Sequence, residues 1–291
     1  MINLGANCPG TATKAAPRSI SAARSPRLCR IILPLLLLTS VAPALADSTS
    51  DDTPWLGVAI LPGDSGVLIR EVIRDTPADE AGLRVGDEIL VIADTRVATP
   101  ADLKAVVSKH RIGEQVQLTV WRGGKLIHTP TTVGARMSAD EILYRRLVGE
   151  RAPDFDVDIL YGPDSGTSSD LARRVVILQF FALICDDCID QHRALSRLTE
   201  QHPKTDLAVV AIGIDSAPAL EAWAAHSEPS FNVACDPTRT VFRDYRIETS
   251  GPALVVIDRA GRVVYAGVGG AANTERATLA AERALRRRSR D

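Results

Sequence analysis

The run Val175-Val176-Ile177-Leu178-Gln179-Phe180-Phe181-Ala182 constrains this chain more than any other stretch. It is almost wholly apolar and rich in β-branched and aromatic side chains. That pattern predicts a strand buried on both faces. The run leads through Leu183 and Ile184 into Cys185-Asp186-Asp187-Cys188, and Ile189 to Glu200 reads as a helix. A strand that delivers two cysteines, two residues apart, onto a helix N-terminus is a redox arrangement.

The chain has 291 residues, enough for two domains of ordinary size. Its composition, 45% hydrophobic and 24% charged with net charge −2, is that of a soluble globular protein, and no basic excess points to a nucleic-acid partner. The charge is unevenly placed. Residues 1–46 hold Lys14, Arg18, Arg24, Arg27 and Arg30 and no acid, so the remainder is acidic.

That basic leader runs into the 11-residue apolar core Ile31–Val41 and then Ala42-Pro43-Ala44-Leu45-Ala46. Positive charge, a short apolar core and a small-x-small end predict a secretory signal peptide over residues 1–46, cut after Ala46. The core is short for a spanning helix, which needs about 20 residues. No membrane span is therefore expected after cleavage; a retained anchor is the alternative. Cleavage would remove Cys8 and Cys29 and leave Cys185, Cys188 and Cys235 in an oxidising compartment, expected to be the periplasm. Three cysteines do not make a purely structural disulfide framework.

Residues 47–134 carry a second set of signals. Short strands are predicted over Pro54–Ile60 and Gly66–Val72, followed by Thr76-Pro77-Ala78-Asp79-Glu80-Ala81-Gly82-Leu83 and Val85-Gly86-Asp87-Glu88-Ile89-Leu90. Thr99-Pro100-Ala101-Asp102 opens a helix, with a capping hydroxyl and a proline in the first turn. Leu103, Val106 and Val107 form its apolar face. Val116–Arg122 alternates as a strand and turns at Gly123-Gly124 into Lys125–His128.

In order, these pieces resemble a PDZ domain of the HtrA type over residues 54 to 134. The resemblance implies a small, mostly β domain that takes a peptide as an added strand between a sheet edge and a helix. Leu56, Gly57 and Val58 match the loop whose N–H groups hold a terminal carboxylate. A protein or peptide client is the implied partner. A spacer or dimerisation role is the alternative. Asp87 suits a turn cap better than a catalytic role. No Ser–His–Asp constellation surrounds this module, so no protease is expected.

A helical linker is predicted over residues 135–150. Ser138-Ala139-Asp140-Glu141 is a capping-box signature ahead of Ile142, Leu143, Leu147 and Val148, and Gly149 ends the helix. The pattern does not choose which domain the helix packs against.

Residues 151–291 alternate strand and helix and then close with a hairpin and a helix, which predicts an α/β sandwich with a mixed sheet. Further strands are expected over Asp156–Leu160, Asp206–Ile214, Phe231–Asp236, Gly251–Asp258 and Arg262–Gly267. Helices are expected from Ser216 to His226, Thr238 to Tyr245 and Thr274 to Arg288. Ala152-Pro153-Asp154-Phe155, the Val175–Cys188 stretch and Gly251–Gly269 resemble the thioredoxin superfamily, and within it the TlpA/ResA-like exported thiol–disulfide oxidoreductases. The implied fold is a thioredoxin-like three-layer sandwich behind a small PDZ domain. Pro252 matches that family's cis-proline, which lies against the cysteine pair. Ile184 departs from the tryptophan usual before the first cysteine, suggesting an altered active-site surface.

In that setting Cys185 is the expected nucleophile, with its pKa lowered by the helix N-terminus, and Cys188 the resolving thiol. Asp186 and Asp187 oppose the thiolate, which favours a reducing couple over a strongly oxidising one. The expected activity is reduction of protein disulfides, with a redox partner protein and no cofactor or metal. Rival readings are a non-enzymatic adaptor with a static disulfide, a metal site using Cys185, Cys188 and His192 with Cys235 as a fourth ligand, or the related delivery of copper by the thiolates, and a peroxiredoxin-like peroxidase. Against the last, Ala182 stands where a peroxidatic cysteine usually has a threonine three residues before it. His192 reads as an exposed helix residue and Cys235 as a buried, inert thiol.

Overall fold

The structure is a computed structural model. It describes residues 51–287 apart from 165, 186–187 and 249–251. The expected signal peptide, Asp186, Asp187 and Gly251 therefore lie outside the described residues.

The N-terminal part contains β1 (Asp51–Trp55), β2 (Val58–Pro62), β3 (Val67–Val72), α1 (Pro77–Glu80), β4 (Glu88–Ile92), β5 (Thr95–Arg96), α2 (Pro100–Val107), β6 (Gln115–Arg122), β7 (Lys125–Thr132) and β8 (Gly134–Arg136). Its main sheet runs β2-β3-β4-β6-β7, with β5 paired to β4, while β1 pairs with β8. Thr99 caps α2 by accepting the Asp102 N–H, and the Asp102 side chain returns the bond to the Thr99 N–H. Leu103, Val106 and Val107 then face a core that includes Leu56, Ile69, Ile89, Leu118 and Val120. Both Gly123 and Gly124 have positive φ, 54° and 84°, as a two-residue hairpin of this hand demands.

Asp87 does cap a turn, accepting the Arg84 N–H at 2.8 Å. It also forms a two-point ion pair with Arg122, Nε to Oδ1 and Nη2 to Oδ2, each at 2.6 Å. The carboxylate is 1% exposed, so this is a structural pair holding the end of β6, and a partner 35 residues away left no local sequence signal.

The C-terminal part contains α3 (Ala139–Leu147), β9 (Asp158–Tyr161), β10 (Val175–Phe181), α4 (Cys188–Gln201), β11 (Leu207–Gly213), α5 (Ala217–Ser227), β12 (Asn232–Cys235), α6 (Thr240–Asp244), β13 (Ala253–Ile257), β14 (Val263–Val268) and α7 (Ala271–Arg286). Its sheet runs β14-β13-β10-β11-β12-β9. β10 pairs parallel to β11 and antiparallel to β13, so the sheet is mixed.

Every residue of β10 is buried, because its alternate side chains feed two cores. Val176, Leu178 and Phe180 join a core with Phe155, Phe242 and Tyr245 on one face. Val175, Ile177 and Phe181 join one with Leu195, Leu198, Leu220 and Ala277, from α4, α5 and α7, on the other. The result is a three-layer α/β sandwich.

The helix α3 belongs to the first of these cores through Leu143 and Leu147. Ser138 caps it by accepting the Glu141 N–H, and Asp140 Oδ1 accepts the Val268 N–H at 3.0 Å. The segment between the two sheets is thus packed against the edge strand β14. From this helix, Arg145 and Arg146 reach back to β3 and the turn after it. Arg145 pairs with Asp75, and Arg74 donates to the carbonyls of Arg145 and Val148. Both sheets fall within one compact unit. Among the described residues no helix is long and apolar enough to cross a membrane.

Candidate active site

The site forms where β10 ends. Phe181 is the last strand residue, the chain turns through Leu183 and Ile184, and α4 begins at Cys188. The turn is held from beneath: Asp215 Oδ2 accepts the Leu183 N–H at 2.8 Å, and the Ile214 N–H donates to the Phe181 carbonyl.

Cys185 and Cys188 are joined by a disulfide, with their Cα atoms 5.4 Å apart. The two sulfurs do not share one environment. Cys188 sits in the first turn of α4 and is 2% exposed, whereas Cys185 stands ahead of the helix and is half-buried. Ile184, beside it, is 86% exposed. Cys185 is therefore the more accessible of the two sulfurs, beside an exposed, isolated apolar side chain.

Pro252 is buried immediately before β13, and its carbonyl accepts the Gly269 N–H at 2.8 Å. The register of β13 against β10, Ala253 opposite Phe180, puts Pro252 at the end of the sheet that carries the cysteines. The isomer of the Gly251–Pro252 bond lies outside the described residues along with Gly251.

Sequence reasoning missed a chain of buried amides under the disulfide. Gln179 Nε2 donates to Gln191 Oε1 at 3.0 Å, and Gln191 Nε2 donates to the Gly269 carbonyl at 2.7 Å. These residues are 0% and 1% exposed. The strand before the cysteines, the helix after them and the segment bound to Pro252 are thereby tied together. Gln179 Oε1 has no partner, so one acceptor remains unsatisfied beside the site. The only local hint was a single polar residue within an otherwise apolar strand.

His192 corrects another expectation. It is not an exposed helix residue: it packs against Phe181, Trp223 and Phe231, with ring centroids 5.1, 4.7 and 5.8 Å away, and its Nε2 is buried without a partner. Burial pushes its pKa down to about 4, leaving a neutral imidazole one turn beyond Cys188.

Cys235 ends β12 as a free, half-buried thiol. Burial, followed by the charges of Asp158, Asp236 and Glu221, raises its pKa, the reverse of what a reactive thiolate needs. Among the described residues no group of three or more His, Cys, Asp or Glu is placed to hold a metal ion.

In the N-terminal part, Leu56 and Gly57 join β1 to β2, whose first residue is Val58. The Leu56 carbonyl accepts from the Ala78 N–H, and the Gly57 carbonyl from the Ile73 N–H, so both oxygens are occupied within the domain. Gly57 has φ 93°, and a Cβ there would collide with the buried Thr76 hydroxyl. β2 is an edge strand of its sheet, paired only to β3, and α2 packs near it.

Comparison with known proteins agrees with both parts. Residues 148–266 match the AhpC/TSA family and residues 54–133 match the PDZ domain. A probable periplasmic DegP-like serine endoprotease of Pseudomonas putida is 33% identical over 98 residues, 30% of this chain and 20% of that protein. A homologous endoprotease of Pseudomonas savastanoi is 32% identical over 115 residues, 35% of this chain and 24% of its own length. The chain thus spans about a quarter or less of the length of these curated relatives. Among solved structures, a putative thiol:disulfide interchange protein DsbE from Chlorobium tepidum is 28% identical, with a TM-score of 0.42, covering 47% of this chain and 97% of that one. The chain therefore carries a PDZ domain at residues 54–133 followed by a thioredoxin-like domain of the AhpC/TSA family at residues 148–266.

Proposed function

We propose that this protein is an exported thiol–disulfide oxidoreductase that reduces protein disulfides, with its PDZ domain binding a client or partner peptide. The observation that carries the reading is the unequal exposure of the Cys185–Cys188 pair at the start of α4. In the reduced protein the Cys185 thiolate attacks a client disulfide, forming a mixed disulfide and releasing one client thiolate. Cys188, one turn on and shielded from other thiols, then attacks the Cys185 sulfur. The second client thiol leaves, and the Cys185–Cys188 bond re-forms. Two electrons pass from the protein to the client, so a separate dithiol protein must restore the reduced state.

Export is supported by the basic, apolar and small-residue leader and by the periplasmic relatives of the PDZ part. Peptide capture is supported by the edge position of β2 and by the Leu56-Gly57-Val58 loop, whose carbonyls are already engaged. Holding a client on the same chain raises its effective concentration near Cys185.

The AhpC/TSA family also includes peroxidases, and that is the second reading. The partnership of Cys185 with a cysteine three residues on favours dithiol exchange. Insulin reduction by the full chain, with dithiothreitol as electron source, tests the proposal. The parent is expected to accelerate precipitation of the insulin B chain, and the Cys185→Ser variant to show only the background rate. Equal rates would reject it, and consumption of hydrogen peroxide by the reduced protein without insulin reduction would favour the peroxidase.

A further inference from the structure

A cavity of about 440 Å³ lies between β8, α3 and the segment after α6. Its floor is apolar, with Ile142, Leu143, Ile247 and Val268. Its charged groups are Arg136, Arg146 and Arg246, against a single acid, Glu248. Arg146 is nine-tenths buried. Its two terminal nitrogens pair with Glu71 and Glu248, but its Nε has no hydrogen-bond partner. Arg136 and Arg246 are exposed and have no carboxylate partner among the described residues. Glu71 and Glu248 are both taken up by Arg146, so the unpaired positive charge at the apolar floor comes from Arg136 and Arg246.

The cavity sits at the cysteine end of the sheet. Val268 pairs with Ala253, Ala253 pairs with Phe180, and Glu248 is four residues before Pro252. Two strand spacings, about 10 Å, separate the β14 edge from β10. The cavity lies on the sheet face that carries α3 and the cysteines on the face that carries α4, so a polypeptide held at Cys185 would reach it by passing over this end of the sheet.

We propose that this cavity binds the flank of a client polypeptide beside its disulfide, taking an apolar side chain on the floor and a neighbouring carboxylate at Arg136 and Arg246. This deepens the exchange reading by naming a client class, apolar–acidic segments, and it rests on that reading for its purpose though not for its binding. The site is separate from the PDZ groove, which recognises a free C-terminus.

The test uses two cysteine-free, fluorescein-labelled peptides, one built on Ala-Leu-Glu-Glu-Ala and one on Ala-Leu-Lys-Lys-Ala. Both carry C-terminal amides, which removes the carboxylate that the PDZ loop would hold. Fluorescence anisotropy with the full chain is expected to show the acidic peptide bound about tenfold tighter, an advantage that shrinks as salt is raised. Arg136→Gln with Arg246→Gln is expected to abolish the preference. Glutamine suits position 246 because Arg246 has φ 58°, so one long side chain replaces another at the same backbone strain. Equal affinity for the two peptides, or an unchanged preference in the double variant, would overturn the proposal. Far-UV circular dichroism of the variant confirms that it folds, and the single variant Arg136→Gln gives an independent reading. Insulin reduction is measured on the same samples. Binding without reduction would sink the exchange reading and leave this site standing, whereas reduction without charge preference would sink only the site.

Discussion

Arg146 Nη2 lies 3.1 Å from Glu71 Oε2, with the two side chains 10% and 17% exposed. The pair joins the thioredoxin-like part to the PDZ part, because Arg146 lies on α3 and Glu71 on β3. Glu71 stands opposite Ala59 of the edge strand β2, and the other end of the same guanidinium pairs with Glu248. One buried cation therefore contacts an acid opposite the edge strand β2 and an acid shortly before Pro252.

Breaking a buried pair from one side strands the remaining charge, at a cost of about 3–5 kcal/mol when burial is complete. Glu248 is 70% exposed and rehydrates readily, so Arg146→Gln is expected to destabilise the full chain by about 2 kcal/mol in urea unfolding. A cycle with Glu71→Gln should show a coupling of at least about 1 kcal/mol. Additive effects, within about 0.3 kcal/mol, would mean that the pair does not couple the two parts.

Gly57→Ala combines a strained φ with a steric collision at Thr76. The carboxylate loop must move or the domain must distort, at about 1–3 kcal/mol. A labelled peptide with a free apolar C-terminus is expected to lose about tenfold or more in affinity on this substitution, by anisotropy. Its amidated form should bind weakly to both proteins. Unchanged affinity for the free-acid peptide would remove Leu56, Gly57 and Val58 from the proposed binding loop.

His192 makes acid sensitivity measurable. The unfolded chain takes up a proton at this ring near pH 6.5, the folded chain only near pH 4. Between these values the unfolded state holds more protons, so stability rises with pH. The penalty is absent above about pH 6.5 and complete below about pH 4, where it reaches up to about 3 kcal/mol. His192→Phe, which suits the aromatic surroundings, is expected to flatten this part of the stability–pH curve. Thermal melts of both proteins across the window check it, and parallel curves would show that His192 is not the titrating group.

The pattern of the chain carried the architecture further than it carried the site. Val175–Phe181, with no polar interruption except Gln179, could only be a strand buried on both faces, and the C-x-x-C spacing marked its end. Ser138 and Thr99 announced their helices because caps are local chemistry. Gln179 and Gln191 looked unremarkable because their partners lie 12 and 78 residues away in sequence. His192 was misread because a helix period says which residues share a face and not what packs on it. The last helix begins at Ala271, ahead of the expected Thr274, and Asn273 in its first turn is buried to accept the Tyr265 hydroxyl at 2.6 Å. A polar residue in that position reads as a loop until its partner is known.

Asp186 and Asp187 bear on the direction of exchange. Two carboxylates next in sequence to Cys185 would disfavour its reduced, ionised form and make the couple more reducing. Replacing both with asparagine is expected to raise the reduction potential by about 15–30 mV, measured by equilibration with glutathione. A parent potential near −120 mV, typical of a strong oxidant, would contradict the proposed reducing role.

The division of labour between the cysteines is tested most directly by trapping. Cys188→Ser leaves Cys185 able to attack and removes the thiol that resolves the mixed disulfide. Incubated with a disulfide-bonded client protein and separated without reductant, this variant is expected to accumulate a covalent adduct that mass spectrometry maps to Cys185. Cys185→Ser is expected to accumulate none, since Cys188 is buried. Adducts of equal yield in both variants, or adducts at Cys235, would contradict the account.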